Sequence, residues 1–287
     1  MPLAKKMPSL RLFGLALCAS LLVPQYCLAQ TASGTPDAPL GTPRNPKTIK
    51  PDPRVQQRSY RFAPTGEELP YTVFVSSKVR PRVPAPLIVA LHGRGGDSNF
   101  IVRDRLIDFA EQEGYIVVGP MGYNVVGFYG APPVPREGQT IEPANVSELS
   151  EQDVMNVLSI ALAEFDVDPH RVYLLGHSMG GAGVLYLGQK YPELWAGLAA
   201  IAPAAFRLEP DREAILGRIE AAHLPLIVTQ GDRDRSVPVA STRAWAEAMG
   251  KLRSAHDYIE MPDHDHGTVI PDSMPAIFSF FASNTRK

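Results

Sequence analysis

Residues 176–180 have the sequence GHSMG, a G-x-S-x-G spacing that suits nucleophilic chemistry at Ser178. A strand-like apolar run at 171–175 precedes this pattern, and a helix-compatible stretch at 181–190 follows it. In a strand–turn–helix the two glycines leave room where strand and helix crowd the serine, which can then hold a strained backbone and expose its hydroxyl. The pattern predicts Ser178 as a nucleophile. The alternative is a structural serine in a Gly-rich turn.

A serine hydroxyl needs a base to take its proton, and the base needs an acid to orient it. The acid candidates follow the strand-like run 226–229. Asp234 is preferred because it lies three residues before a Val-Pro pair, deep enough in the loop to reach an imidazole. Asp232 is the alternative and would otherwise brace the turn. A third interpretation leaves both as solvated acids paired with Arg233 and Arg235.

The base candidates lie in the Asp-His-Asp-His sequence of residues 263–266, after the last strand-like run. His266 is preferred because it abuts Gly267 and a helix follows within a few residues, and His264 is the competing choice. A metal site at 263–266 is a rival interpretation. It is disfavoured because adjacent ligands rarely all face one ion and no matching ligand group stands out elsewhere, so no metal is expected.

Attack on a carbonyl creates an oxyanion that preformed N–H donors must meet. The residue after the nucleophile, Met179, is expected to supply one backbone N–H. The second is expected from Arg94, with Gly95 as the alternative, in the Gly-rich sequence that directly follows the run at 87–91. A phosphate-binding loop is the other interpretation, but the glycine spacing fits neither nucleotide-binding pattern.

Strand and helix signals alternate along the chain, which predicts an α/β fold with a mostly parallel sheet and helices on both faces. The candidate site residues all follow predicted strands, where reactive groups gather in such sheets. Strands are predicted at 71–75, 87–91, 115–118, 171–175, 198–201, 226–229 and 257–261. Helices are predicted from Asp97 or Ser98 to Gly114, from Ser150 to 165, and at 181–190, 211–222, 241–252 and 271–282.

The N-terminus has the features of a secretory signal. Basic residues precede a short apolar stretch at 12–23, and Cys27 and Ala29 place small residues where a signal peptidase would bind. Cleavage is therefore predicted after Ala29, which would remove residues 1–29. Both cysteines, Cys18 and Cys27, would leave with them. Residues 30–58 are Pro-rich and predicted to be a linker or disordered arm, and 59–287 the catalytic domain. The expected location is periplasmic or secreted.

Composition excludes some partners. The 287 residues are 45% hydrophobic and 20% charged, with a formal net charge of −2, which is ordinary for a globular protein. Because no run of Lys or Arg is present, no nucleic-acid partner is expected. No membrane association is expected after removal of the signal. The oligomeric state does not follow from the sequence.

With these residues identified, the chain resembles the α/β-hydrolase superfamily, and within it the secreted bacterial esterases related to polyhydroxybutyrate depolymerases and feruloyl esterases. The resemblance covers the chain from about residue 60 and rests on the motifs at 91–96, 176–181, 231–238 and 266–267. It implies cofactor-free hydrolysis of carboxylic esters through an acyl-enzyme. The alternatives are a peptidase of the prolyl-oligopeptidase type, which uses the same triad, and a non-catalytic binding protein on a hydrolase scaffold. Ser178 would be the nucleophile, His266 the general base and then acid, and Asp234 the orienting acid.

The chain also departs from this group. Many secreted members carry cysteines or a polymer-binding module, whereas residues 30–287 contain no cysteine and no obvious second domain. A small or soluble ester is therefore expected rather than an insoluble polymer. Aromatic residues in 122–130 could form a wall or flap over the site, and a packed surface loop is the equal alternative.

Overall fold

A computed structural model describes residues 49–253 and 255–286. These residues form one sheet of eight strands, which follow the predicted α/β pattern. The strands are β1 Gln56–Phe62, β2 Glu67–Val75, β3 Ala85–Leu91, β4 Ile116–Pro120, β5 Val167–His177, β6 Gly197–Ile201, β7 Leu226–Gly231 and β8 His256–Met261.

The strand order is β1-β2-β4-β3-β5-β6-β7-β8. Strand β2 pairs antiparallel with β1 and with β4, and every pairing from β4 to β8 is parallel. The prediction of a mostly parallel sheet is confirmed. The helices are α1 Asp104–Glu113, α2 Val146–Glu164, α3 Met179–Lys190, α4 Arg212–Ala221, α5 Val239–Met249 and α6 Val269–Ser283.

Helices cover both faces of this sheet, and the strand residues alternate between two apolar cores. In β3, Leu87 and Val89 pack on the side of α2, α3, α4 and α5, whereas Ile88 and Ala90 pack on the side of α1 and α6. All seven residues of β3 are buried, because a central parallel strand has no solvent-facing side. The carboxyl ends of the central strands consequently open to one edge, where loops carry the site.

The predicted boundary of the N-terminal arm at residue 58 is too late. Val55 is buried, β1 begins at Gln56, and Arg54 bridges Asp52 and Asp108 of α1. The prolines that precede β1 led the sequence analysis to extend the arm over its first residues. Strand β1 is an edge strand that pairs only with β2. The predicted signal at 1–29 and most of the predicted arm lie outside the described residues.

Two predicted helix starts are also wrong. Residues 97–103 form irregular turns, and α1 begins only at Asp104, where a left-handed φ of 49° follows an extended Arg103 and breaks any continuous helix. Helix α2 begins at Val146, so Ser150 and Asp153 lie inside it and point to the protein interior rather than capping it. None of the helices in residues 49–253 and 255–286 is long and apolar enough to cross a membrane.

The start of α3 lies unusually close to the end of β3. A Cβ built on Gly180 would overlap the carbonyl oxygen of Leu91 and come within 2.9 Å of that of His92. Both contacts involve backbone, which cannot turn aside as a side chain does. Gly180 therefore sets the distance between α3 and the loop that follows β3.

We expect Gly180→Ala to lower the free energy of unfolding by about 1–3 kcal/mol, because the backbone of Leu91 and His92 must shift to make room for the methyl group. Gly217 in α4 provides a matched control, since a Cβ there meets nothing within 4 Å. Gly217→Ala should instead stabilise the protein by about 0.5–1 kcal/mol. Urea unfolding of both variants tests this. Equal effects would show that α3 is not held at contact distance.

Candidate active site

Ser178 occupies the sharp turn between β5 and α3. Its φ of 57° and ψ of −113° are unusual for a residue with a side chain, as the G-x-S-x-G pattern predicts. The backbone N–H of Ser178 donates to the carbonyl of Ile201 at the end of β6, at 2.9 Å, and its own carbonyl accepts from Ala182 and Ala204. These bonds hold the strained turn in place. No side chain among the described residues is hydrogen-bonded to the Ser178 hydroxyl.

The loops after β7 and β8 bring an acid and a base together. The Nδ1–H of His266 donates to Oδ2 of Asp234 at 2.7 Å, although the two residues lie 32 positions apart. The bond to the carboxylate fixes the tautomer, which leaves Nε2 as the imidazole nitrogen able to accept a proton. Of the two acids and two histidines that the sequence left open, the structure pairs Asp234 with His266.

Asp234 is held as an anion by a set of donors. Burial raises the pKa of its carboxyl, but hydrogen bonds from His266, Val237 and Ser236 outweigh burial and bring the pKa below its usual value. Gln230 also donates to Oδ2 at 3.0 Å. Its amide is oriented by Thr242 of α5, whose hydroxyl donates to the Gln230 side-chain oxygen at 2.8 Å. The sequence analysis missed Gln230, whose signal is a polar residue near the end of a buried strand.

His177 links the serine turn to the base. Its Nε2–H donates to the carbonyl oxygen of His266 at 2.8 Å, and the two rings lie 4.5 Å apart. Burial, and then the neighbouring His266, lower the pKa of His177 to about 3, so the ring is neutral. Phe100 stacks on its other side, with ring centroids 5.7 Å apart. His177, which precedes Ser178 in the chain, thereby positions the backbone of His266.

The loop after β3 lies against the same turn. A Cβ on Gly93 would be 2.9 Å from Nδ1 of His177 and 3.4 Å from the Cβ of Ser178. The N–H of Gly95 is occupied by the carbonyl of Val125 at 2.8 Å. By contrast, the backbone N–H groups of Arg94 and Met179 have no acceptor among the described residues, which leaves both able to meet a negatively charged oxygen.

The other candidate residues point elsewhere. Asp232 is exposed, and His264 bonds to Asp272 of α6 at 2.9 Å and to the carbonyl of Pro262 at 2.6 Å. Asp263 pairs with Arg233, and Asp265 accepts from the N–H groups of Gly267 and Thr268. The four side chains of 263–266 thus have four separate sets of partners. In the part of the chain described, no group of three or more His, Cys, Asp or Glu is placed to hold a metal.

Comparison with known proteins agrees with this architecture. A family profile described as serine aminopeptidase, S33, matches residues 82–217. Feruloyl esterase B of Neurospora crassa is 28% identical over 123 residues, which are 42% of this chain and 39% of that protein. A thermostable esterase structure has a TM-score of 0.63 at 22% identity, covering 81% of this chain and 64% of its own. The S-formylglutathione hydrolase of Agrobacterium tumefaciens has a TM-score of 0.63 at 21% identity, covering 80% and 94%.

The chain has the α/β-hydrolase fold. The strand order, the serine turn and the fold of these neighbours agree on this assignment. The chain spans less than half of the Neurospora relative and about two thirds of the thermostable esterase.

A buried carboxylate, that of Asp153, anchors the loop after β4. The sequence analysis did not assign this residue to the site. Asp153 accepts hydrogen bonds from Tyr60 at 2.6 Å, from the N–H of Gly122 at 2.6 Å and from the N–H of Tyr123 at 3.2 Å. The anchored loop reaches the site through His92, whose Nε2 lies 2.7 Å from the carbonyl oxygen of Met121. Asp153 therefore supports the loop that carries Arg94.

The aromatic residues of this loop do not form a flap. Tyr123, Phe128 and Tyr129 are 6%, 2% and 0% exposed, and the Tyr129 hydroxyl donates to the carbonyl of His92 at 3.1 Å. All three have left-handed φ values between 53° and 61°. The alternative of a packed loop is the correct one, because the rings fill the core instead of facing solvent.

We expect Asp153 to make stability fall as pH rises. Burial raises its pKa from 3.8 to about 6, so between these pH values the unfolded chain ionises while the folded protein keeps the proton. The contribution is fully present below about pH 4 and is lost as pH passes 6, a change of about 3 kcal/mol.

Asp153→Asn keeps the side chain's shape and removes this titration. Wild type and variant are unfolded in urea from pH 3 to pH 8, and their difference in free energy of unfolding is followed. The wild type should lose about 3 kcal/mol relative to the variant over this range. A constant difference, or one of opposite sign, contradicts the assignment.

Proposed function

We propose that this α/β hydrolase cleaves carboxylic esters through an acyl-enzyme, with Ser178 as nucleophile, His266 as general base and acid, and Asp234 as the orienting acid. The observation that carries the proposal is the Asp234–His266 hydrogen bond of 2.7 Å, formed where His266 also contacts the residue preceding Ser178. A carboxylate, an imidazole and a serine on a strained turn form the arrangement that activates a hydroxyl.

In the first half-reaction, Nε2 of His266 takes the Ser178 proton while the serine oxygen bonds to the ester carbonyl carbon. The carbonyl oxygen becomes negative and accepts hydrogen bonds from the N–H groups of Met179 and Arg94. The C–O bond to the alcohol then breaks, and the alcohol leaves with the proton from His266. Water repeats the sequence on the acyl-enzyme, with His266 taking its proton, and releases the acid and free Ser178.

The neutral state of His177 suits this cycle. His266 becomes positive when it takes the serine proton, and a positive ring 4.5 Å away would oppose that step. Burial keeps His177 uncharged, while Asp234 supplies a fixed negative charge behind the base. His177 therefore places no positive charge beside His266, and the Asp234 carboxylate lies on the opposite side of the hydrogen bond to Nδ1.

Relatives support an ester as substrate, since the similar proteins include a feruloyl esterase and an S-formylglutathione hydrolase. The family description as a serine aminopeptidase favours peptide cleavage as a second candidate. We place ester hydrolysis first because two relatives matched by sequence, feruloyl esterase B and the esterase NocK, are named as esterases, whereas a dipeptidyl aminopeptidase is similar in fold at 19% identity. We also propose export from the cytoplasm, on the leader-like sequence of residues 1–29.

A fluorophosphonate probe should label the protein, and Ser178→Ala should abolish both labelling and p-nitrophenyl acetate turnover. Ser279→Ala, an exposed serine of α6, is the matched control and should behave as wild type. A peptide amide is assayed in parallel. Peptide turnover without ester turnover would support the aminopeptidase alternative, and undiminished labelling of Ser178→Ala would remove the nucleophile from the proposal.

The two histidines of 263–266 provide a second test. His266→Ala should lower kcat by at least about 10³-fold, as expected for loss of the base from such a triad. His264→Ala removes a similar ring only two residues away and should change kcat by less than about threefold, because its partner Asp272 lies on α6. The reverse result would transfer the base to His264.

A further inference from the structure

A cavity of about 480 Å³ lies between the segment before α1 and the beginning of α6. Its volume is within the range of about 300–1,000 Å³ that is usual for small-molecule sites. Apolar side chains form most of its wall. They are Phe100, Ile101, Leu106, Ile270, Pro271 and Met274.

This cavity is adjacent to the proposed base. Asp265 and Gly267, the two neighbours of His266 in the chain, both line it. Phe100 connects its wall to the rest of the site, because its ring stacks on His177 and lies against Gly96 of the loop after β3. The cavity is therefore on the His266 side of the serine turn.

The chemistry of the proposed reaction assigns a role to this position. The general acid must come within hydrogen-bonding reach of the leaving-group oxygen in order to protonate it. The departing alcohol consequently lies beside His266, while the carbonyl oxygen is directed to the N–H groups of Met179 and Arg94. A cavity bordered by both neighbours of His266 is a candidate place for the remainder of that alcohol.

We propose that this cavity binds the alcohol half of the ester and that the enzyme favours esters of large, uncharged, apolar alcohols. The inference rests on the proposed esterase function and names the substrate class of the same site.

The charged side chains at the rim of the cavity are paired with one another or with backbone, which favours an uncharged alcohol as the ligand. Arg103 is 3.4 Å from Asp104, and Arg105 is 3.3 Å from Asp272. The carboxylate of Asp265 accepts from the N–H groups of Gly267 and Thr268. Each charged side chain thus has a partner within the described residues, and an ionic alcohol would have to displace one of them.

The test compares two acetate esters, ethyl acetate and 2-(2-naphthyl)ethyl acetate. Both release a primary alcohol and form the same acetyl-enzyme, so their ratio of kcat/KM reports recognition of the alcohol. In the wild type this ratio should favour the naphthylethyl ester by at least about tenfold.

Ile270→Trp tests the place of binding, because Ile270 is half-buried in the wall of the cavity and a tryptophan there narrows it. The ratio should fall by at least about tenfold. Leu162→Trp, at an exposed position of α2, is the matched control and should leave the ratio unchanged.

Three outcomes would overturn the inference while ester hydrolysis remains. They are a wild-type ratio near one, a ratio insensitive to Ile270→Trp, and a loss in Ile270→Trp that follows acyl size in a series of ethyl esters. The last would assign the cavity to the acyl group. Absence of turnover with every ester would instead remove the proposed function.

A measurement on the wild type keeps the inference testable if Ile270→Trp does not fold. The product alcohol 2-(2-naphthyl)ethanol should inhibit competitively at concentrations at least about tenfold below those required of 1-propanol. Equal inhibition by the two alcohols would overturn the inference.

Discussion

The backbone at Ser178 is the constraint on which the site depends. A chain leaving a buried strand must reverse into a helix within one residue, and it does so with a left-handed φ at a residue that has a side chain. Such a turn is tolerated because Gly176 and Gly180 have no side chains where β5, α3 and the end of β3 meet. Because α3 packs closely against the end of β3, the loop that follows β3 and carries Arg94 also lies against Ser178. The close packing of β5, α3 and β3 therefore accounts both for the unusual backbone of Ser178 and for the position of the Arg94 loop beside it.

A series of hydrogen bonds extends from this turn to distant parts of the chain. His177 contacts the backbone of His266, His266 contacts Asp234, and Asp234 is held by Gln230, which Thr242 orients. Each member limits the orientation of the next, so the imidazole of His266 is held in one orientation. Preorganisation of this kind is how a protein stabilises charge without relying on mobile water.

Support for the loops comes from opposite sides of the sheet. Asp153 holds the loop after β4 from the side of α2, whereas Phe100 connects His177 to the cavity beside α1 and α6. The neighbours of similar fold share the scaffold at 21–22% identity, which shows the fold alone. Function follows from the local geometry, because the same scaffold accommodates many chemistries.

The sequence alone determined the alternation of strands and helices, the serine turn, and the short segments that could supply acid, base and oxyanion donors. These are local properties, since periodicity, glycine spacing and loop position are all set by near neighbours. It could not decide between Asp234 and Asp232 or between His266 and His264, because residues two apart have nearly identical local environments. The tertiary structure pairs Asp234 with His266, through a hydrogen bond between residues 32 positions apart.

Tertiary contacts also explain why α1 and α2 begin at other residues than the sequence predicts. Ser150 and Asp153 have the character of helix caps, yet burial of a neighbouring loop gave both side chains partners inside the protein. Capping preference is a difference of about 1 kcal/mol, which a buried backbone N–H in need of an acceptor readily exceeds. Local rules predicted which residues were available, and long-range contacts decided which of them meet.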